Sequence, residues 1–121
     1  MRKKISIKVL SVNQAWCGRR FKTPDYKAYE KELWYLLPNK NIPKGKLALD
    51  IVVGHSNKGA DIDNFLKPFL DVLQKKYIFN DNRIFKLVVE KKIVKKGEEY
   101  ISFNFTEYFE PFEIDDKYYS K

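Results

Sequence analysis

The sequence predicts an α+β domain, a mixed β-sheet of about four strands with two helices packed on it. Three observations carry this. Apolar and polar residues alternate in several short stretches. Apolar residues recur at helical spacing in two longer ones. These stretches follow one another in the order β-α-β-α-β-β. A chain of 121 residues, 44% hydrophobic and 16% aromatic, suits one such domain and can fill its core.

The first strand is "ISIKVL", Ile5 to Leu10, with Ile5, Ile7 and Val9 on one face. "SVNQAWCGRRFKTPD" reads as a loop. It ends in a helix start, with Thr23 as N-cap, Pro24 at the first helical position and Asp25 in the first turn. Tyr26, Tyr29 and Leu33, then Leu36 or Leu37, form the apolar stripe, and Pro38 ends the helix. "LALDIVV" is the second strand. From Ile62 a second stripe runs through Phe65, Leu66, Phe69, Leu70 and Leu73. Pro68 cannot donate to the carbonyl of Asn64, so a distorted first turn is expected. "RIFKLVVEKKIV" and "YISFNFT" are the third and fourth strands, joined by a hairpin loop containing Gly97. The expected division is residues 1–106 as the folded domain and 107–121 as an acidic, aromatic tail.

The formal charge is +8, unevenly spread. Residues 1–106 carry 22 bases and 11 acids, whereas the tail carries five acids and two bases. Such a basic domain points to a polyanion, most simply nucleic acid. No stretch approaches a membrane span, and "MRKKISIKVLSV" is too short and too broken by Ser6 and Lys8 for a signal peptide. Cys17 is the single cysteine, so no intrachain disulfide forms. A soluble, cytoplasmic protein with no membrane partner is expected.

Against this basic background, "ADIDNFLKPFLDVLQKKYIFND" places Asp61 and Asp63 two residues apart and Asp81 at its end. Side chains two apart in extended chain leave on one side, roughly 6–7 Å from each other. Two carboxylates that close repel unless something positive lies between them. Asp63 or Asn64 as helix N-cap explains one acid but not all three. Mg²⁺, which takes carboxylates, waters and phosphate oxygens, would explain the set. Lys67, four residues after Asp63, is either an exposed ion-pair partner or a lysine aimed at phosphate. Asp71 reads as solvated. His55, the single histidine, reads as a loop or partly buried residue. Arg19, Arg20 and Lys22 form one basic cluster, and Lys91 and Lys92, with Lys95 and Lys96, another. Lys58 adds a base on the loop before the acids. Phe79, on a loop beside the acids, is a candidate wedge into unpaired bases.

"DIDNFLKPFLDVLQKKYIFNDNRI" resembles the signature of the RusA family of Holliday junction resolvases, and "SVNQAWCGRRFKTPDYKAYE" resembles that family's N-terminal stretch. The resemblance spans about residues 10–105. It implies a Mg²⁺-dependent endodeoxyribonuclease, with Mn²⁺ as a substitute, that acts as a homodimer. Such an enzyme nicks opposed strands of a four-way DNA junction in recombination and repair, and it would be bacterial or phage-encoded. The family's essential carboxylates fall on Asp61, Asp63 and Asp81, its essential lysine on Lys67, and its loop asparagine on Asn13. This chain departs from the pattern in three places. Asn80 stands where an acid is sometimes found, the loop before it is about one residue short, and "LSVN" lacks the usual prolines. The alternative is therefore a branched-DNA-binding relative with weak or no cleavage.

Overall fold

The computed structural model describes residues 3–9, 16–17 and 21–110. Its elements are β1 (Lys3–Ser6), β2 (Trp16–Cys17), β3 (Phe21–Lys22), α1 (Pro24–Leu36), β4 (Leu47–His55), α2 (Leu66–Tyr77), a single 3₁₀ turn (Asp81–Arg83), β5 (Ile84–Ile93) and β6 (Tyr100–Glu107). The expected α+β class holds. One four-stranded mixed sheet runs β1-β6-β4-β5, with β4 and β5 parallel and the other pairs antiparallel. Inside the stretch read as a loop, β2 and β3 pair as a short two-stranded ribbon.

Alternation decides which sheet face is covered. Leu47, Leu49, Ile51 and Val53 of β4 and Ile101, Phe103 and Phe105 of β6 are buried on one face. Tyr26, Tyr29 and Leu33 of α1 and Phe69, Val72 and Leu73 of α2 close over it. A run of ring contacts ties α2 to the sheet: Phe65 to Phe69 at 6.0 Å, Phe69 to Phe103 at 5.7 Å, and Phe103 to Phe105 at 6.0 Å. Each such side chain contributes about 1.5–3 kcal/mol by leaving water.

The N-terminus of α1 forms as expected. Thr23 Oγ1 accepts the Tyr26 N–H at 3.1 Å, and Pro24 opens the helix. The start of α2 differs from the periodicity. The helix begins at Leu66, and residues 62–65 form a turn. Pro68 then falls at the third helical position, where its missing N–H would have had no partner. Ile62, expected in the core stripe, is half exposed.

The expected hairpin is also corrected. β5 and β6 are not neighbours; they flank β4 on opposite sides. Strands β4 and β5 run parallel, so they need a crossover, which α2 supplies. The connection after β5 instead spans the end of β4. It is held there by Val94 N–H on the His55 carbonyl at 2.8 Å and Ile7 N–H on the Glu99 carbonyl at 3.2 Å. Gly97, at φ +93°, makes its turn.

Candidate active site

The acids enter on a braced loop. After β4, Asn57 Oδ1 accepts the Gly59 N–H at 2.8 Å, and Ala60 N–H returns to the Asn57 carbonyl at 3.2 Å. Lys91 of β5 donates to the Ala60 carbonyl at 2.7 Å. Phe65 is fully buried. With that ring anchored, the turn before it leaves Asp61, Ile62 and Asp63 exposed. Neither Asp63 nor Asn64 caps α2. The N-cap is Phe65, and no side chain accepts a hydrogen bond there. Helix capping therefore does not account for the acids.

Asp81 is brought back by the other end of the same helix. α2 ends at Ile78 in the left-handed region, φ 54° and ψ 66°, with its N–H on the Gln74 carbonyl. Gln74 Nε2 donates to the Leu70 carbonyl at 3.3 Å, and Gln74 Oε1 accepts the Asp81 N–H at 2.9 Å. The Asn80 side chain accepts the Asn82 N–H at 2.9 Å and caps the 3₁₀ turn. Arg83 then donates to the Gly45 and Pro43 carbonyls at 2.9 and 2.6 Å, pinning this turn to the 43–45 bend.

The result is a depression of about 290 Å³ lined by Asp63, Leu66, Lys67, Leu70, Asp71 and Asp81. It gathers three of the four expected catalytic residues; Asp61 does not line it. Asp71, read as solvated, accepts the Tyr26 hydroxyl at 3.0 Å and joins α1 to this wall. Burial first, and then the Asp71 carboxylate, raise the Tyr26 pKa, so that hydroxyl keeps its proton at neutral pH. Its place one turn beyond Lys67 could have marked Asp71 as a lining residue; nothing in the sequence marks Gln74. Among the described residues no group of three or more His, Cys, Asp or Glu is arranged to hold a metal ion. The donor chemistry of the depression still fits a hard divalent cation, because one or two carboxylates with waters and phosphate oxygens suffice for Mg²⁺.

A larger cavity, about 430 Å³, lies beside the same turn, lined by Lys8, His55, Ser56, Asn57, Asn64 and Glu99 among others. It holds none of the three aspartates. His55 is buried at the end of β4 with its ring edge-on to Phe65 at 6.2 Å. Burial, and then Lys91, lower its pKa, which favours the neutral ring. Ser56 donates to Glu99 at 2.7 Å, and that bond leads the lowering of the Glu99 pKa. These groups brace the connection over β4, and we assign them no catalytic part.

The expected DNA-binding residues divide. Asn13, Arg19 and Arg20 lie outside the described residues, and Lys22 is described only as part of β3. Lys58 is exposed beside the acids. Lys91 is committed to the loop carbonyls, and Lys92 pairs with Glu90 at 3.1 Å. Phe79 does not project as a wedge. It is half-buried, edge-on to Phe105 at 5.5 Å, and the exposed neighbour is Ile78.

A lysine among carboxylates, on a small α+β domain with twice as many bases as acids, is an arrangement chemically suited to phosphate groups. The family model described as endodeoxyribonuclease RusA matches residues 8–102, which include every residue of the depression. The chain belongs to the RusA family of Holliday junction resolvases. No curated protein matches it.

Proposed function

We propose that this chain is a Mg²⁺-dependent, structure-specific endodeoxyribonuclease that resolves four-way DNA junctions by paired nicks. It would serve recombination and repair in the cytoplasm of a bacterial or phage-infected cell. The observation that carries this is the meeting of Asp63, Lys67 and Asp81 around one depression in a RusA-family chain. Asp63 and Asp81 would hold the ion, with Asp61 beside Asp63 on the same exposed turn. Bound there, Mg²⁺, or Mn²⁺ in its place, supplies positive charge to activate water and to stabilise the scissile phosphate.

The chain's own residues do the rest. Lys67 is exposed at the second position of α2, where its ammonium adds to the positive end of the helix dipole. That end has no side-chain cap, so both features favour a phosphate oxygen and the charge that grows on it in the transition state. Leu66 and Leu70 supply the apolar part of the wall beside the lysine. The Gln74 bond to the Asp81 N–H holds the stretch of backbone that carries that carboxylate. A junction has two equivalent strands to cut, so a homodimer presents two equivalent sites.

The test is cleavage of fixed and mobile four-way junctions against linear duplex, with Mg²⁺ and with chelator. Paired nicks confined to junctions, and lost with chelator, are expected. Equal cutting of linear duplex would sink the structural specificity. Junctions bound but left intact in Mg²⁺ would favour the binding-only reading, which the position of Asp61 outside the depression supports.

A further inference from the structure

Ten large hydrophobic side chains stay exposed among the described residues, and four of them lie on β5: Phe85, Leu87, Val88 and Ile93. This strand is ten residues long and forms an edge of the four-stranded sheet. Among the described residues its outer side pairs with nothing, so it offers a row of free N–H and C=O groups. Lysines commonly block such edges, and β5 carries Lys86, Lys91 and Lys92. Lys91, however, is turned onto the Ala60 carbonyl.

The order Lys86, Val88, Glu90 is its own complement when the strand is reversed. We propose that β5 pairs antiparallel with β5 of a second copy of this chain, about a two-fold axis at Val88. In this register Lys86 of each copy faces Glu90 of the other, Leu87 faces Val89, and Val88 faces itself. Slipping the sum of paired positions by one sets Lys86 against Lys91, or else leaves it against Val89 and Glu90 against Phe85. Slipping by two sets Lys86 against Lys92, or against Val88. Of these registers only the first yields ion pairs, and it yields two. Glu90's present partner, Lys92, is an exposed neighbour on the same strand and holds it only weakly.

The faces also match. β4 pairing sets Leu87 beside Leu49 and Val89 beside Ile51, on the helix-covered side. Leu87 is exposed there because nothing extends over the edge. A facing Val89 would cover it. A two-fold axis perpendicular to the sheet keeps both helix layers on one side, and therefore both candidate depressions. This names the dimer surface for the junction-cutting reading and rests on it for purpose only; it is tested without DNA, so either can fail alone.

The test is sedimentation of the full chain over a concentration series. The wild type should show twice the 14.5 kDa chain mass. Lys86→Glu or Glu90→Lys alone replaces two attractive pairs by two repulsive ones and should weaken dimerisation about tenfold or more. Lys86→Glu with Glu90→Lys should return to within about threefold of wild type. As an independent reading of the register, Val88→Cys in a Cys17→Ser background should crosslink on mild oxidation, because directly opposed Cβ atoms lie about 4.5–5.5 Å apart. Asp50→Cys, one strand inward on the same face, should not crosslink. A monomer at every concentration overturns the proposal, as does a charge swap that fails to rescue folded protein, or Val88→Cys crosslinking no better than Asp50→Cys. The chain beyond Glu110 is the other candidate occupant, because Tyr108 stacks on Phe85 at 5.8 Å beside the start of β5. A dimer that appears only after removal of residues 111–121 would assign the edge to that segment and overturn the proposal too.

Discussion

The two helices of this domain begin in opposite ways. α1 opens on a hydroxyl that accepts the Tyr26 N–H, a proline in the first position and an aspartate in the first turn. Every polar residue at that end serves the helix. α2 opens on Phe65, a buried ring that caps nothing, while two aspartates stay exposed on the turn before it. Polar residues at a helix start usually relieve unsatisfied donors. At α2 the acids leave that task undone, so their place beside Lys67 and Asp81 needs an explanation outside the stability of the helix. The difference separates a structural terminus from a functional one by hydrogen bonds rather than by composition.

Neutralising the acids without changing their shape has the largest expected effect. Asp63→Asn or Asp81→Asn should reduce junction cleavage to background, at least about 10³-fold, while fold and junction binding persist. Binding in a gel shift that falls as far as cutting would make the acids structural and the contrast empty. Lys67→Ala comes next. If the lysine meets the scissile phosphate, single-turnover cleavage at saturating protein should slow by about 10²-fold or more, about 2.7 kcal/mol of barrier. Lys67→Arg should recover part of that, since a planar fork places its charge differently. A rate for Lys67→Ala within about threefold of wild type would return the lysine to the solvated face.

The sequence made the α1 terminus legible because every contact there is local: Thr23, Pro24 and Asp25 lie within one turn of the N–H they serve. The alternating face of β6 was legible for the same reason. Partner choice was not. The turn at Gly97 looks like a hairpin, but β4 takes both β5 and β6 as neighbours, and only the whole sheet decides that. Periodicity likewise carried α2 back to Ile62, because it cannot weigh the donor that Pro68 lacks. At the candidate site, Asp63 and Lys67 were readable from their spacing. Asp81 stood out as the third acid, at the end of the same segment, and family likeness gave it a role; the Gln74 bond that holds its backbone has no sequence signal. Phe79 was misread because a loop aromatic looks the same whether it faces solvent or, as here, Phe105.

The two helix starts should also differ, by a smaller amount, in what they add to stability. Thr23→Ala removes the α1 cap and should cost about 1 kcal/mol in a urea melt. Asp61→Ala and Asp63→Ala should stay within about 0.5 kcal/mol of wild type, as surface changes without a cap role do. A loss at Asp63 equal to that at Thr23 would mean that its side chain supports α2 after all.

The smallest effect concerns the far ends of the helices. α1 stops at Leu37 in extended backbone before Pro38, a conformation that costs a leucine nothing. α2 stops at Ile78 with φ 54°, where a β-branched residue is strained, and its side chain is 88% exposed. Burial therefore does not repay the strain. Ile78→Gly should relieve roughly 1–2 kcal/mol of left-handed strain. It should also add about 0.5–1 kcal/mol of unfolded-chain entropy to be lost on folding. The expected net is a gain of about 0.5–1 kcal/mol, read from the same melts. A destabilised variant would show that the isoleucine makes contacts its exposure hides. A variant that is more stable yet cuts junctions more slowly would place the strain in the service of the site, because Ile78 sets the turn that returns Asp81 to Lys67. Equal cutting by the more stable protein would confine the α1–α2 contrast to the helix starts, where the acids are.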